Sequence, residues 1–274
     1  MTWERKKVLV VVKAYPEKST KYNNHLVCTA GITDEGDWIR LYPITVNRFV
    51  GEKKIKKFYW IDVECQKATN EKLKRKESYR VREDSIRIID TSLTDPKANW
   101  TERHKIIQQH ISKSIESLYE AYRDDKTSLG MIKPKEILEF YHNNELKIYP
   151  KSNNYQEMFD GSRIPIFEKI PHIFKYKFKC EGCQETKKSH DIQCEDWELM
   201  ESYRRWGPRY QSTEILWQKL YQKYYENMLR RHDLYFIMGM YSQYPTWMII
   251  GLYYPLKNVT EIKNNGNVTL NRWM

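Results

Sequence analysis

The sequence predicts an α+β protein that is rich in β-strands, and three observations support this fold class. Short apolar runs separated by turn residues fill the first ninety residues. A helical pattern follows near the middle of the chain, and two more precede a C-terminal pair of apolar runs. Hydrophobic residues are 40% and aromatic residues 14% of the 274 residues. Disordered chains are poor in aromatic residues, so this composition excludes a chain that is disordered throughout.

Five short strands are predicted before residue 95. Residues 26–32 and 38–42 flank a turn at 34–37 that contains glycine, and together they form a hairpin. The other three strands are predicted at 7–13, 57–65 and, broken by a bulge, 79–89. Since no long helix separates them, residues 1–95 are predicted to form a small closed or partly open barrel of the OB or SH3 type.

Residues 96–130 are predicted to form a helical spacer. Asn99 has Glu102 three residues on, a spacing typical of a helix start. The residues that follow at intervals of three or four form one apolar helix face: Ile107, Ile111, Ile115, Leu118 and Tyr122.

The remaining residues, 131–274, are predicted to form a second β unit. Strict alternation over 173–180 indicates a strand whose aromatic side chains, Phe174, Tyr176 and Phe178, face a core. Two helices are predicted at 196–206 and 213–231, and the acidic residues of Asp196-Trp-Glu198 are expected to cap the first of them. Near-continuous apolar runs at 234–239 and 247–254 predict a hairpin buried on both faces.

The most specific motif is a cluster of cysteine and histidine. Four soft or borderline ligands within fifteen residues suit tetrahedral zinc, and a site filled by four protein ligands is structural. We therefore predict a structural zinc site whose ligands are Cys180, Cys183, His190 and Cys194. Two alternatives stay open: reduced cysteines without metal, and Cys28 or Cys65 in place of Cys194.

The charge indicates a polyanionic partner. The formal net charge is +11, and residues 48–90 alone hold 13 Lys/Arg against 8 Asp/Glu. Proteins that bind single strands combine a cationic groove with stacking aromatic residues, so a nucleic-acid partner is predicted, single-stranded or RNA in preference. The alternative for each residue is a solvated lysine or a core aromatic ring. The predicted contacts are Arg40, Lys53, Lys54, Lys56, Lys57, Tyr59, Lys74, Arg75, Lys76, Arg204, Arg205 and Arg209.

A family resemblance adds to this interpretation. The stretch from Val27-Cys-Thr-Ala-Gly-Ile32 to Trp38-Ile-Arg-Leu-Tyr-Pro43 resembles the signature of a prokaryotic family with a dual OB-fold-containing domain. The cysteine–histidine cluster that runs into Asp196-Trp-Glu198 is similar to longer members. The resemblance implies two small barrels and a nucleic-acid or nucleotide ligand, but no activity. The six residues between Cys183 and His190 depart from the family pattern and leave the fourth metal ligand open.

Common enzyme motifs for nucleotide binding, serine hydrolysis and zinc proteolysis do not occur in the sequence. A metal-assisted nuclease or nucleotide-processing enzyme stays an alternative, as does a protein-interaction subunit of a larger system. No apolar run approaches the ~18 residues that a membrane-spanning helix needs. Together with the low, odd number of cysteines, this predicts a cytoplasmic protein with no membrane partner.

Overall fold

The computed structural model describes residues 2–19, 22, 24–51, 54–69, 75–95, 100–143, 155–157, 163–165, 170–183, 189–210, 212–240 and 246–257. The N-terminal strands are β1 (Glu4–Lys13), β2 (Glu17–Ser19), β3 (Asn24–Thr33), β4 (Trp38–Thr45), β5 (Trp60–Lys67), β6 (Ser78–Val81) and β7 (Arg87–Asp90). The later strands are β8 (Ile111–Ser112), β9 (Leu129–Ile132), β10 (Pro134–Asn143), β11 (Tyr155–Glu157), β12 (Arg163–Pro165), β13 (Ile173–Cys180), β14 (His190–Cys194), β15 (Tyr235–Met240) and β16 (Trp247–Tyr253).

Five α-helices accompany these strands in the part of the chain that the structure describes: α1 (Trp100–Ile107), α2 (Ile115–Asp125), α3 (Trp197–Trp206), α4 (Thr213–Tyr221) and α5 (Asn227–Arg231). A π-helical turn, Gln222–Glu226, joins α4 to α5, so the helix predicted at 213–231 is one nearly continuous rod. Among the described helices, none has the length and apolar character needed to cross a membrane.

The N-terminal strands form a closed barrel of five strands. Their order is β1-β3-β4-β6-β5, and β5 pairs again with β1. The contact between β4 and β6 is parallel, through Arg40 beside Ser78 and Leu41 beside Tyr79, whereas the other contacts are antiparallel. A five-stranded Greek-key barrel with this order is an OB-type barrel. The β-rich α+β class predicted from the sequence is therefore confirmed.

Strand β1 shows why its apolar run is continuous rather than alternating. Val8 and Val10 point into the N-terminal barrel, while Leu9, Val11 and Val12 point outward. The outward side chains pack against strands β9, β15 and β16 of the C-terminal half, so both faces of β1 are buried. A strand buried on both faces requires an apolar residue at nearly every position.

The C-terminal strands follow the same plan. Their order is β10-β13-β14-β16-β15-β9, with a parallel contact between β14 and β16. Only Lys133 separates β9 from β10 along the chain. These two strands therefore form one stretch that pairs with β13 through β10 and with β15 through β9. Phe174, Tyr176 and Phe178 are fully buried in this second barrel, as their alternation predicts. Helices α3 to α5 lie between β14 and β15 in the chain and pack against the same core.

The predicted central helix is wrong in one respect, because the segment is broken. Helix α1 ends at Ile107, and Ile111 and Ser112 form strand β8, which pairs in parallel with Met131 and Ile132 of β9. A new helix, α2, then begins after Ser114, whose hydroxyl accepts a hydrogen bond from the backbone of Ser117. The apolar spacing continued through the break, so periodicity alone did not reveal the new N-cap.

A buried ion pair joins the two barrels. Lys57, in the segment between β4 and β5, directs its Nζ atom to Asp196 at 3.1 Å and to Glu198 at 2.5 Å. Both acidic residues lie at the start of α3, where Asp196 also caps the helix by accepting from the backbone N–H of Leu199. The neighbouring Trp197 packs into the core of the N-terminal barrel. The start of α3 is therefore shared by both barrels.

Replacing Lys57 by Met should destabilise the protein by about 3–5 kcal/mol, because the substitution leaves the buried carboxylate of Asp196 and the partly exposed carboxylate of Glu198 without their cation. The free energy of unfolding in urea measures this loss. Lys56→Met is the matched control, since Lys56 is exposed and should change stability by less than about 0.5 kcal/mol. Equal unfolding midpoints for the two variants would show that the junction does not depend on the ion pair.

Candidate nucleic-acid interface and metal group

The outer face of β3 and β4 is where OB-type barrels commonly hold their ligands, together with the loops between strands 1 and 2 and strands 4 and 5. At one end of this face Ala30 and Ile32 pack against the C-terminal barrel and are buried. At the other end Tyr42 is 42% exposed. Packing of the barrels thus covers one end of the face and leaves the other end open.

Two tyrosines stand at the open end. Tyr22, in the loop before β3, is 47% exposed, and Tyr42 lies near the end of β4. Partial burial raises the pKa of Tyr42, and the neighbouring Cys28 and Tyr22 raise it further. Both tyrosine side chains are therefore accessible to solvent.

Two arginines lie beside the tyrosines. Arg40 is only 6% exposed and donates from Nη2 to the carbonyl oxygen of Ser128 at 3.0 Å. Its Nη1 atom lies 3.6 Å from the sulfur of Cys28. Arg75, in the loop between β5 and β6, donates to the carbonyl oxygen of Met240 at 3.0 Å. We call Tyr22, Cys28, Arg40, Tyr42 and Arg75 the tyrosine–arginine face.

Neither guanidinium of this face forms an ion pair within the described residues, and the Nε atoms of both are buried without a hydrogen-bond partner. The nearby carboxylate of Glu77 accepts hydrogen bonds from the backbone of Ser128 and Leu129, and its charge acts to raise the pKa of Arg75. Burial has the largest effect on Arg75 and the charge of Arg40 acts in the same direction, so the pKa of Arg75 is lowered to about 10. An anion at this face would relieve that repulsion.

The structure places the other predicted contacts unevenly. Lys57 lies in the ion pair with Asp196 and Glu198 rather than at an open surface, and its side chain is 10% exposed. Arg40 lies within the tyrosine–arginine face, where its Nη atoms contact the carbonyl oxygen of Ser128 and the sulfur of Cys28. Lys53 and Lys74 lie outside the described residues.

The rest are at the surface or in ion pairs. Lys54, Lys56 and Arg209 are exposed, and the Nζ atom of Lys56 lies 5.9 Å from the ring centre of Tyr59. Lys76 pairs with Asp125 at 2.5 Å. Arg204 and Arg205 both pair with Glu201. All three residues lie on α3, whereas Lys54 and Lys56 lie in the segment between β4 and β5.

Three of the four predicted metal ligands come together. The ligand atoms of Cys180, Cys183 and His190 lie within 4.8 Å of one another, in a group that can hold a metal ion. The sulfur of Cys183 lies 3.1 Å from Nε2 of His190, and the backbone N–H of Cys180 donates to the same sulfur at 3.0 Å. Burial raises the pKa of the Cys180 thiol to about 12. We call these three residues the metal group.

Cys194 does not belong to the group of ligand atoms that lie within 4.8 Å of one another. It lies on β14 four residues beyond His190, which corresponds to about 13 Å along a strand. Its side chain is fully buried in the core of the C-terminal barrel, opposite Phe174. Cys65 is likewise buried, in the core of the N-terminal barrel, and Cys28 belongs to the tyrosine–arginine face.

Sequence reasoning missed Tyr22 and Tyr42. Both belong to the segments that surround the hairpin signature, and Tyr42 directly precedes Pro43, to which it is joined by a cis peptide bond. With 21 tyrosines in the chain, composition gave no reason to select these two. The available signal was topological, because assigning the OB strand order marks the end of β4 and the loop before β3 as ligand-facing.

Two family models match the chain in succession. One, described as Domain of unknown function (DUF8758), matches residues 4–109, and the other, Domain of unknown function (DUF8757), matches residues 110–269. The matches meet in the turn that follows α1, between the two barrels. The two-barrel organisation implied by the family resemblance agrees with this division. A comparison with curated proteins finds no match.

Solved structures give distant likenesses. The structure of a murine DNA binding protein bound with ds DNA is 7% identical, covers 92% of this chain and 97% of that chain, and has a TM-score of 0.33. A replication protein A heterotrimer bound to ssDNA is 8% identical, covers 96% of this chain and 52% of that chain, and has a TM-score of 0.37. Both TM-scores are low, so these two likenesses are distant in structure as well as in sequence.

Proposed function

Because the chain belongs to the family described as Domain of unknown function (DUF8757), its function has to be inferred from its own site, and we propose that it binds single-stranded nucleic acid, RNA or DNA. The proposed binding site is the tyrosine–arginine face. The observation that carries the proposal is the pair of exposed tyrosines beside two guanidiniums that have no carboxylate partner among the described residues.

The two tyrosines would supply the stacking contacts. Every base has an aromatic face, so base stacking on tyrosine is strong and tolerant of sequence, at about 1–3 kcal/mol per base. Tyr22 and Tyr42 are accessible on the side of the barrel that binds oligonucleotides in OB-type proteins. In a duplex the faces of the bases are stacked on one another, so this mode of binding favours single strands.

The arginines would supply the phosphate contact. Arg75 is half-buried at the edge of the face, and its repulsion with Arg40 is relieved when a phosphate approaches. Lys18, exposed on β2 in the loop between the first two barrel strands, extends the positive field on one side. Release of counterions from the phosphates then makes binding dependent on salt.

For the metal group we propose a structural zinc ion. Thiolates and imidazole nitrogens bind zinc well, whereas calcium and magnesium favour oxygen ligands, so two cysteines and a histidine suit zinc. Cys180 is buried and Cys183 is half-buried, so the group lies against the protein core rather than in an open cleft. The backbone N–H of Cys180, which donates to the sulfur of Cys183, would stabilise a thiolate there. The zinc ion would hold the turn after β13 in place.

The stacking role predicts that Tyr22→Ala and Tyr42→Ala each weaken binding of a labelled single strand by about 5- to 150-fold, the range expected for loss of one stacked base. Fluorescence anisotropy at low and near-physiological salt, with single-stranded RNA, single-stranded DNA and duplex, measures the affinities. Trp3→Ala is the matched control, because Trp3 is similarly exposed but lies before β1. The affinity of the Trp3→Ala variant for the labelled strand should stay within two-fold of the wild-type affinity (roughly 0.4 kcal/mol).

A different pattern would contradict this site. If Tyr59→Ala combined with Lys54→Glu and Lys56→Glu abolishes binding while both tyrosine variants bind normally, the ligand lies on the segment between β4 and β5 instead. If no strand binds even at low salt, the function itself is wrong, and the net charge serves another purpose.

The zinc proposal predicts one equivalent of zinc in protein purified without added chelator, measured by inductively coupled plasma mass spectrometry. Cys183→Ser should remove it, because the thiolate is a direct ligand. Cys194→Ser is the matched control and should retain zinc, since that thiol lies in the core. Protein that contains no zinc, and takes up none when zinc is added, would contradict the proposal.

A further inference from the structure

Glu116 approaches the metal group from a different element. It lies in the first turn of α2, and its Oε2 atom is 3.7 Å from Nε2 of His190. In tetrahedral zinc sites the bond lengths imply about 3.4 Å between a nitrogen and an oxygen ligand and about 3.6 Å between a sulfur and a nitrogen ligand. The Nε2 atom of His190 lies 3.7 Å from Oε2 of Glu116 and 3.1 Å from the sulfur of Cys183, which is similar to these ligand-to-ligand distances.

The start of α2 is held against the metal group by backbone contacts. The N–H of Gly182, between the two cysteines, donates to the carbonyl oxygen of Lys113 at 3.2 Å. A side chain at Gly182 would bring its Cβ within 3.3 Å of that oxygen and of Ser114, so glycine allows the close approach. The helix that carries Glu116 is thus packed on the turn that carries the cysteines.

From this geometry we infer that the carboxylate of Glu116 is the fourth ligand of the metal group, so that a zinc ion binds Cys180, Cys183, His190 and Glu116. The inference rests on the proposed zinc site and adds its missing ligand. Glu116 lies outside the group whose ligand atoms are within 4.8 Å of one another, so its side chain would have to rotate toward the ion to reach the zinc–oxygen distance of about 2.0–2.2 Å. His190 is 8% exposed and Glu116 24% exposed, so both are shielded from bulk water.

The metal group brings together three ligands, and Glu116 stands 3.7 Å from one of them, His190. Cys194, the fourth ligand expected from the sequence, lies in the core and away from this group. With Glu116 in place the site has four protein ligands and no open position, which is the arrangement of structural rather than catalytic zinc. The ion would then join α2 to the β13–β14 pair.

The test uses the full chain, freed of metal and titrated with zinc against a chromophoric chelator. Glu116→Gln should weaken zinc binding by more than about ten-fold, since even indirect partners of zinc ligands cost 10–100-fold when removed. Glu120→Gln is the matched control, because Glu120 lies one turn further along α2 and is exposed. Its affinity for zinc should equal that of the wild type. Cobalt(II) spectra report the change in coordination independently of stability.

Two outcomes would overturn the inference, and they can be distinguished. If Glu116→Gln binds zinc as tightly as the wild type and its cobalt spectrum is unchanged, the fourth ligand is another group, while the zinc site itself stands. If the wild-type chain binds neither zinc nor cobalt, the zinc proposal fails and this inference fails with it. Weaker zinc binding together with a changed cobalt spectrum in Glu116→Gln, but not in Glu120→Gln, supports Glu116 as the fourth ligand.

Discussion

The carboxylate of Asp196 is the contact on which the arrangement of the two barrels depends. It caps α3 at Leu199, accepts a hydrogen bond from the backbone N–H of Leu252 in β16 at 2.9 Å, and pairs with Lys57 of the N-terminal barrel. Burial acts to raise the pKa of Asp196, but the positive charge of Lys57 and the two backbone donors outweigh it and leave the pKa lowered. A buried carboxylate satisfied from three directions keeps the barrels in one relative position.

That fixed position determines which surface can bind a ligand. The C-terminal barrel covers the outer side of β1 and the Ala30–Ile32 end of β3, which closes part of the face that OB-type barrels use. The open part carries Tyr22 and Tyr42, and its arginines are held by carbonyl oxygens of the C-terminal barrel, at Ser128 and Met240. The proposed binding site therefore belongs to both barrels, although its aromatic residues come from one.

Sequence patterns predicted the strands well because period-two alternation and turn residues act locally, as in the hairpin at 26–42 and the strand at 173–180. They did not predict the break between α1 and α2, where the Ser114 cap competes with an apolar spacing that continues unchanged. The cysteine turn predicted the metal group, and three of its four predicted ligands come together. Nearness in sequence suggested Cys194 as the fourth, whereas the fold places about a strand's length between Cys194 and His190 and brings Glu116, from another element, within 3.7 Å of His190. The partners of Lys57 lie 139 and 141 residues away, so local patterns could not predict its ion pair.

Helix α2 connects the metal group to the proposed nucleic-acid site. Its first turn carries Glu116, and its end carries Asp125, which pairs with Lys76 in the loop next to Arg75. The backbone N–H of Lys76 also donates to the carbonyl oxygen of Lys126, just beyond the helix. The two ends are about 13 Å apart at the rise of an α-helix. A metal ion that fixes the start of α2 would thereby help to hold Lys76, and Arg75 beside it, in place. A structural ion can in this way contribute to the order of a distant binding face without touching the ligand.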